Sequence, residues 1–591
     1  MKKNSLRALA LALMLAFTLA LSCCGSPKAK VQAEFDALAE EYMVCILSQS
    51  PVTVHSLFRN PEAYGFPPDM PISWGEFYTD QDETAPDREK ELYKAIGKIN
   101  RSDLREDQQL TYDVLMYEAW YYDTGYALYY YDEPLNADGS GYHVGLPITL
   151  SEYKLQTEKD ARDYVILTET LGGVIDWIIR FETEKSAEGL FMTDKSLDAV
   201  IEECRAFIGS GEECVLISAF RKNLADMDEP LAPQLQEELC AQVEAVVADE
   251  VMPAYERLIK GIEALRGTGV NDAGLSGLPL GREYYEYVLG FSMGVTWSVE
   301  YLTERLDNAL GDTLTAFWDI ASKDSQALSA LYEEELGYPE LSAGETVELL
   351  REKARSDFPA LPDEIEYTIL PLDPALEDAA RPAMYISPQI DEINKNTIIV
   401  NEKVMREDGD AAYFFTTMAH EGYPGHLQQF VTAYMENIPA LRKVISYQAS
   451  TEGWATYAEY YSYKYLSGGE TLNELARLSD LLDLLLQTRI EIGVSYEGWD
   501  YDAAAAYSKE LLGYDLGDSM RMIVDYVKAS PVASVPYVAG YLQITELREK
   551  YSGATDLEFH TEFLKLGSLP FRLAEKRLDK IFSAAQLKSA A

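Results

Sequence analysis

The sequence predicts a mainly α-helical protein, one large body with a small β-sheet beside a helix that carries a histidine pair. Three observations support this. Apolar residues recur at helical spacing over most of the 591 residues. Strand-like alternation is confined to residues 365–401. No Pro/Ser/Gly-rich linker, internal repeat or low-complexity tract interrupts the chain after about residue 30.

At the N-terminus, Lys2, Lys3 and Arg7 precede an uncharged Ala/Leu-rich run from Ala8 to Leu21, then Ser22-Cys23-Cys24-Gly25. This is the form of a secretory signal, expected over residues 1–23. At about 1.5 Å per helical residue the run is shorter than the ~20 residues a bilayer span takes, so a permanent transmembrane anchor is not expected. The small residues before Cys23 resemble a bacterial lipobox. A lipid on Cys23 would be the only membrane attachment and would hold the protein at the cell surface, outside the cytoplasm. Cys23 is favoured over Cys24 because Ser22 precedes it, whereas cleavage before Cys24 puts Cys23 where Gly, Ala or Ser is usual. Full release after an ordinary cleavage is the alternative.

Removing the signal takes away three positive charges and moves the formal charge from −49 to −52. Such an acidic surface repels nucleic acid and anionic headgroups, so neither is an expected partner. The remaining cysteines, Cys24, Cys45, Cys204, Cys214 and Cys240, form no CxxC pair and argue against a structural zinc knuckle. Cys204 and Cys214 are near enough for a disulfide in an oxidising compartment, and buried thiols fit equally well.

Residues 112–131 are tyrosine-rich, with Tyr117, Trp120, Tyr121, Tyr122, Tyr126, Tyr129 and Tyr130. Packing explains such a stripe better than a carbohydrate or peptide platform. Amphipathic helical runs are expected over roughly 152–182, 232–265, 297–310, 344–356, 472–492, 515–528 and 572–586, and Leu475, Leu478, Leu482 and Leu485 form a core-facing stripe in one of them. Strands are expected at Ile365–Leu370, Ala383–Ser387 and Thr397–Asn401, between Asp, Pro and Asn turns. An edge strand there could hold an extended peptide by backbone hydrogen bonds. Next, Asp410 is an N-cap candidate for an apolar helix that carries His420 and Glu421.

The chain has five histidines, and two of them bracket the segment His420-Glu421-Gly422-Tyr423-Pro424-Gly425-His426. Imidazole readily ligates zinc near neutral pH, and a glutamate beside the first ligand can deprotonate an attacking water. In the common HExxH pattern, histidines four apart are rotated by about 400° and share a helix face. Six apart, they would be about 240° apart on an unbroken helix, so both can reach one metal only if the helix is interrupted. Pro424 and Gly425 supply the interruption: Pro removes a donor and clashes with the preceding turn, and Gly tolerates unusual dihedrals.

A catalytic zinc usually has three protein ligands, and the expected third is Glu452, in Thr451-Glu452-Gly453-Trp454-Ala455. Taken alone this is weak, because the chain holds 99 acidic residues. Small Gly453 and Ala455 would let this helix approach the first histidine helix closely.

These residues resemble the bacterial domain-of-unknown-function family 885, whose members look like zinc peptidases of the gluzincin type. The likeness rests on His420 to His426, Glu452-Gly453-Trp454-Ala455, Gly498-Trp499, Tyr537-Val538-Ala539-Gly540, Glu546-Leu547-Arg548, Phe559-His560 and Gly567-Ser568-Leu569-Pro570. Gly281 to Tyr285 also looks like the family's cleft-lining stretch.

The resemblance implies a zincin-like fold, Zn2+ held by His420, His426 and Glu452, and Glu421 as general base. Tyr537, with His560 as second candidate, would stabilise the oxyanion. Arg548 reads as a structural ion pair. Two departures bear on tuning: Leu427 stands where many relatives have a second histidine, and Glu491 and Ser495 stand where they often have an aspartate and a histidine.

The expected organisation is a signal in 1–23, a tether in 24–34, an N-terminal helical lobe in 35–270 and a catalytic lobe with the zinc site in 271–591. The expected function is a lipid-anchored, extracytoplasmic zinc peptidase that cleaves peptides with a metal-activated water. Two alternatives differ in class: a solute- or peptide-binding lipoprotein with a vestigial metal site, and a metal-dependent hydrolase of non-peptide amides or esters. Exo- or endopeptidase action, sequence preference and oligomeric state leave no trace in these motifs.

Overall fold

The computed structural model describes residues 26–75, 88–137, 141–332, 341–372, 382–407 and 411–589. The expected signal with Cys23, and Cys24 and Asp410, lie outside them. About 70% of the chain is helical, and a single three-stranded sheet is present among the described residues. The helices used below are α1 (Pro27–Leu47), α2 (Glu106–Ala127), α3 (Glu158–Ala187), α4 (Gly281–Phe291), α5 (Val299–Lys323), α6 (Ala343–Ala354), α7 (Ala411–Glu421), α8 (His426–Met435), α9 (Gln448–Ser462), α10 (Glu470–Ile492) and α11 (Val535–Lys550).

Helix starts follow local chemistry. Ser26, Thr157, Ser298 and Ser342 each accept a bond from a first-turn N–H, and Thr157 and Ser342 form reciprocal capping boxes with Asp160 and Glu345. α1 begins within the stretch expected as a tether. The leucine stripe of α10 faces inward as its spacing requires, with Leu475, Leu478 and Leu485 buried and Leu482 partly so.

The strands are β1 (Glu366–Pro371), β2 (Ala383–Ile386) and β3 (Lys395–Val400). β3 is central, parallel to β1 and antiparallel to β2, so β2 forms an edge. Ile398, at the middle of β3, is fully buried and joins the sheet to the core that contains Phe415, Met418 and Ala419 of α7. The sheet thereby seats the first histidine helix.

Four apolar clusters form the core among the described residues, the smallest lying between α5 and α10. The largest gathers α4, α5, α7 and α9 to α11, the second surrounds α3, and the third lies under α1. Residues from both halves of the chain share them: Val114 and Leu190 join the first, and Leu372 and Ile399 the second. The tyrosine-rich stretch mostly packs. Tyr117 donates to the Gly290 carbonyl at 2.6 Å and Tyr131 accepts from Leu280 N–H at 2.7 Å, whereas Trp120 is 80% exposed. Cys204 and Cys214 are buried, unbridged thiols.

Inside the second core, α3 carries Glu182 with no accessible surface and no hydrogen-bond partner for either oxygen among the described residues. Burial pushes its carboxyl up to about 7, against the pull of Lys185. The folded chain therefore keeps a proton that the unfolded chain releases, and stability is lost as pH rises from the ordinary value of 4.5 towards 7. Glu182→Gln should remove this loss. Thermal melts of the variant should gain on those of the wild type as pH increases over that window, and parallel curves would refute the linkage.

Candidate metal centre

α7 ends at Glu421 and α8 begins at His426, and the four residues between them are the interruption that the histidine spacing demands. Gly425 N–H donates to the Ala419 carbonyl and Gly422 N–H to that of Met418, each at 2.9 Å. A Cβ on Gly425 would lie 1.8 Å from the His420 carbonyl oxygen, so a glycine is needed for the chain to fold back this tightly. From behind, Trp454 Nε1 donates to the Pro424 carbonyl at 3.0 Å. The two imidazole rings consequently meet, with centroids 4.9 Å apart and planes at 85°.

α9 closes the site. Glu452 Oε2 lies 3.5 Å from His420 Nε2 and 3.5 Å from His426 Nε2, and the three donor atoms all fall within 4.8 Å of one another. Zinc at its usual ~2.0–2.2 Å from nitrogen and carboxylate donors needs them about 3–4 Å apart, so the set fits a divalent ion with little adjustment.

The far side of each ring is also held. His420 Nδ1 lies 3.0 Å from Glu459 Oε2, and His426 Nδ1 lies 3.4 Å from Gln429 Oε1, while Gln429 Nε2 donates to the Ser450 carbonyl at 3.0 Å. With acceptors at both Nδ1 atoms, the neutral tautomer that fits places the proton there and leaves both Nε2 lone pairs facing Glu452. Sequence reasoning missed Glu459 and Gln429. Glu459 was findable, being seven residues after Glu452 and so on the same helical face.

Burial opposes charge on both sides of the cluster, and proximity outweighs it. Carboxylates of Glu452 and Glu459 hold His420 well above the usual histidine range, and the two imidazoles hold Glu452 well below the ordinary carboxylate range.

Glu421, the last residue of α7, is buried, and its Oε2 accepts the Tyr385 N–H of β2 at 2.7 Å. That bond orients the carboxylate. It also occupies a backbone donor that strand addition along β2 would need, so an extended peptide cannot pair at Tyr385 while Glu421 is held. Tyr537, in the first turn of α11, has its ring 6.2 Å from that of His420.

His560 is not among the residues whose donor atoms converge at the cluster. It has no accessible surface, stacks on Phe358 at 4.2 Å, and has Nδ1 2.7 Å from the Asp357 carbonyl and Nε2 3.0 Å from the Tyr457 hydroxyl. Burial lowers its pKa to about 4, so it is neutral near pH 7, and its ring also packs edge-on to Trp454 of α9.

Gly453 also differs from expectation: it faces α11, not the histidine helix. A Cβ there would lie 2.3 Å from Gly540 Cα, and one on Gly540 would lie 2.0 Å from the Ala449 carbonyl oxygen. The glycine pair lets the backbones of α9 and α11 touch beside Glu452, which brings Tyr537 to the cluster.

In the stretch expected to line the cleft, Tyr285 is fully buried in the core and Arg282 Nε donates to the Tyr496 carbonyl at 2.9 Å. Leu427, Glu491 and Ser495 are all buried too. Arg548 pairs with Asp556 at 2.7 Å.

Fold and cluster together define a class: a large, mainly helical protein with a candidate divalent-metal centre of the two-histidine, one-glutamate type. Within that class the chain belongs to DUF885, a family of bacterial proteins of unknown function, whose sequence profile matches residues 65–578. Solved structures similar to it include two called lipoproteins. A candidate lipoprotein from Colwellia psychrerythraea is 19% identical with a TM-score of 0.75, over 94% of this chain and 99% of that one. A candidate lipoprotein of unknown function from Shewanella oneidensis is 15% identical with a TM-score of 0.57, over 92% of this chain and 99% of that one. At these identities the likeness is one of fold. No curated protein matches the sequence. Among the described residues, no helix is long and apolar enough to cross a membrane.

The glycine crossing has a direct test. Gly540→Ala puts a methyl into the α9 backbone and should cost on the order of 1–3 kcal/mol or more. Urea unfolding monitored by circular dichroism should show a clearly lowered midpoint, and an unchanged midpoint would show that the helices can separate freely.

Proposed function

We propose that this protein is a zinc-dependent peptidase of gluzincin-like type, held outside the cytoplasm by a lipid on Cys23, with an N-terminal helical lobe over 35–270 and a catalytic lobe over 271–591. The observation that carries the reading is the convergence of His420, His426 and Glu452 donor atoms within 4.8 Å, with Glu421 next to the first of them. His420, His426 and Glu452 would hold the zinc. When bound, zinc supplies Lewis acidity, polarising water and a substrate carbonyl.

The rest of the chemistry belongs to side chains. Tyr385 N–H fixes Glu421 Oε2, which leaves Oε1 to take the proton of the attacking water and pass it to the leaving amine. Glu459 and Gln429 keep the histidine rings in register through Nδ1. Tyr537, beside His420, donates its phenolic proton as a hydrogen bond to the oxygen that gains charge as the carbonyl is attacked. A carboxylate beside the ligands favours hydrolysis over simple solute capture, since binding alone requires no base.

Two measurements separate metal binding from chemistry. Elemental analysis of purified protein should find about one zinc per chain, absent from a His420→Ala, His426→Ala double variant; zinc retained in that variant would exclude these ligands. On a fluorogenic peptide library, turnover should stop with a chelator and return with zinc. Glu421→Gln should keep its zinc and lose about 10²–10⁴-fold in kcat, and Tyr537→Phe should lose about 10²-fold or more. Full activity in zinc-loaded Glu421→Gln would sink the proposed base.

A further inference from the structure

The helix that presents Tyr537 begins without a cap of its own. Ser534 is the N-cap of α11, but its side chain makes no capping bond to that helix. Its N–H, and its hydroxyl, instead donate to Glu491 Oε2 near the end of α10, the N–H at 2.8 Å. Burial raises this carboxyl to about 7, against the pull of Ser534 and of the Val532 backbone. Val532 has φ of 70°, a left-handed conformation that β-branched residues rarely take, so the 530–534 segment is bent around this carboxyl.

Glu491 has no accessible surface, and its Oε1, the Tyr285 hydroxyl of α4 and Ser495 Oγ are buried without hydrogen-bond partners among the described residues. A buried carboxyl is a costly way to fill space. Its placement explains its presence, because a carboxyl oxygen at a helix N-terminus meets unpaired N–H groups and the positive end of the helix dipole.

α11 is thus held at two points that flank Tyr537. Three residues before it, Ser534 is bound to Glu491; three residues after it, Gly540 is locked against Ala449 and Gly453 of α9. The first contact fixes the rotation and height of the opening turn, and the second fixes the crossing. We propose that Glu491 is the positioning residue for Tyr537, capping α11 from α10 so that the phenol stays beside His420. The inference rests on the reading of Tyr537 as the oxyanion donor. It adds a residue that touches neither metal nor substrate.

The test is a double-mutant cycle in the zinc-loaded protein, with Glu491→Gln made in wild-type and Tyr537→Phe backgrounds. Gln preserves volume and offers a neutral acceptor. In the wild-type background kcat should fall about 10-fold to 10²-fold, as expected for a displacement of order 1 Å, with KM within about twofold and zinc content unchanged. In the Tyr537→Phe background the further loss should be less than about threefold. An equal loss in both backgrounds, or none in the first, overturns the proposal.

A second readout does not depend on activity. Amide hydrogen exchange at residues 535–541 should speed up at least 10-fold in Glu491→Gln, while 448–462 stays as in wild type. Unchanged exchange at 535–541 also overturns the proposal. Should the wild type lack peptidase activity, the functional reading fails by itself, and exchange alone decides whether Glu491 anchors α11.

Discussion

Everything at the candidate metal centre depends on one reversal of the backbone between His420 and His426. A continuous helix would carry the second imidazole about 240° around the axis from the first. The reversal is stabilised by its own N–H bonds to Met418 and Ala419, by the missing side chain at Gly425 and by the Trp454 indole on the Pro424 carbonyl. Each contribution is small, yet together they exclude the helical alternative, because Pro424 cannot donate and Gly425 has no room for a Cβ. Trp454 lies on α9, so the helix that supplies Glu452 also supports the turn that assembles the histidines. The turn and Glu452 are therefore one structural unit.

Around that unit the protein is arranged by close approach. The sheet seats α7 through Ile398 and orients Glu421 through Tyr385, and the Gly453–Gly540 crossing brings α11 against α9. Charge is organised alongside shape. In a chain of net charge −49, the carboxylates at the site each have a defined partner: Glu452 faces two imidazoles, Glu459 faces Nδ1 of His420, and Glu421 faces a backbone N–H.

Much of this was legible in the sequence, for identifiable reasons. Helical period and turn residues carry the element types, and the strands near 366–400 appear within a residue or two of their expected bounds because Asp, Pro and Asn punctuate them. The histidine spacing, with its breaker, was sufficient to expect a broken helix. What stayed hidden depends on which helix faces which. Gly453 signals close approach but not the partner, and that partner is α11. His560 carries the same chemistry as His420 and His426, and only its surroundings, Phe358, Tyr457 and the Asp357 carbonyl, show that it packs. Glu459 was visible at a two-turn spacing from Glu452, and its value emerges only once the ring of His420 is known to point at it.

The placement of Glu452 and Glu459 on one face of a single helix has a mechanical meaning. One contributes an inner donor and the other steadies the opposite edge of His420, so a sliding or tilting of α9 loosens both together. Because Trp454 of the same helix holds the Pro424 carbonyl, α9 is the one rod to which the folded-back turn and both carboxylates are fastened.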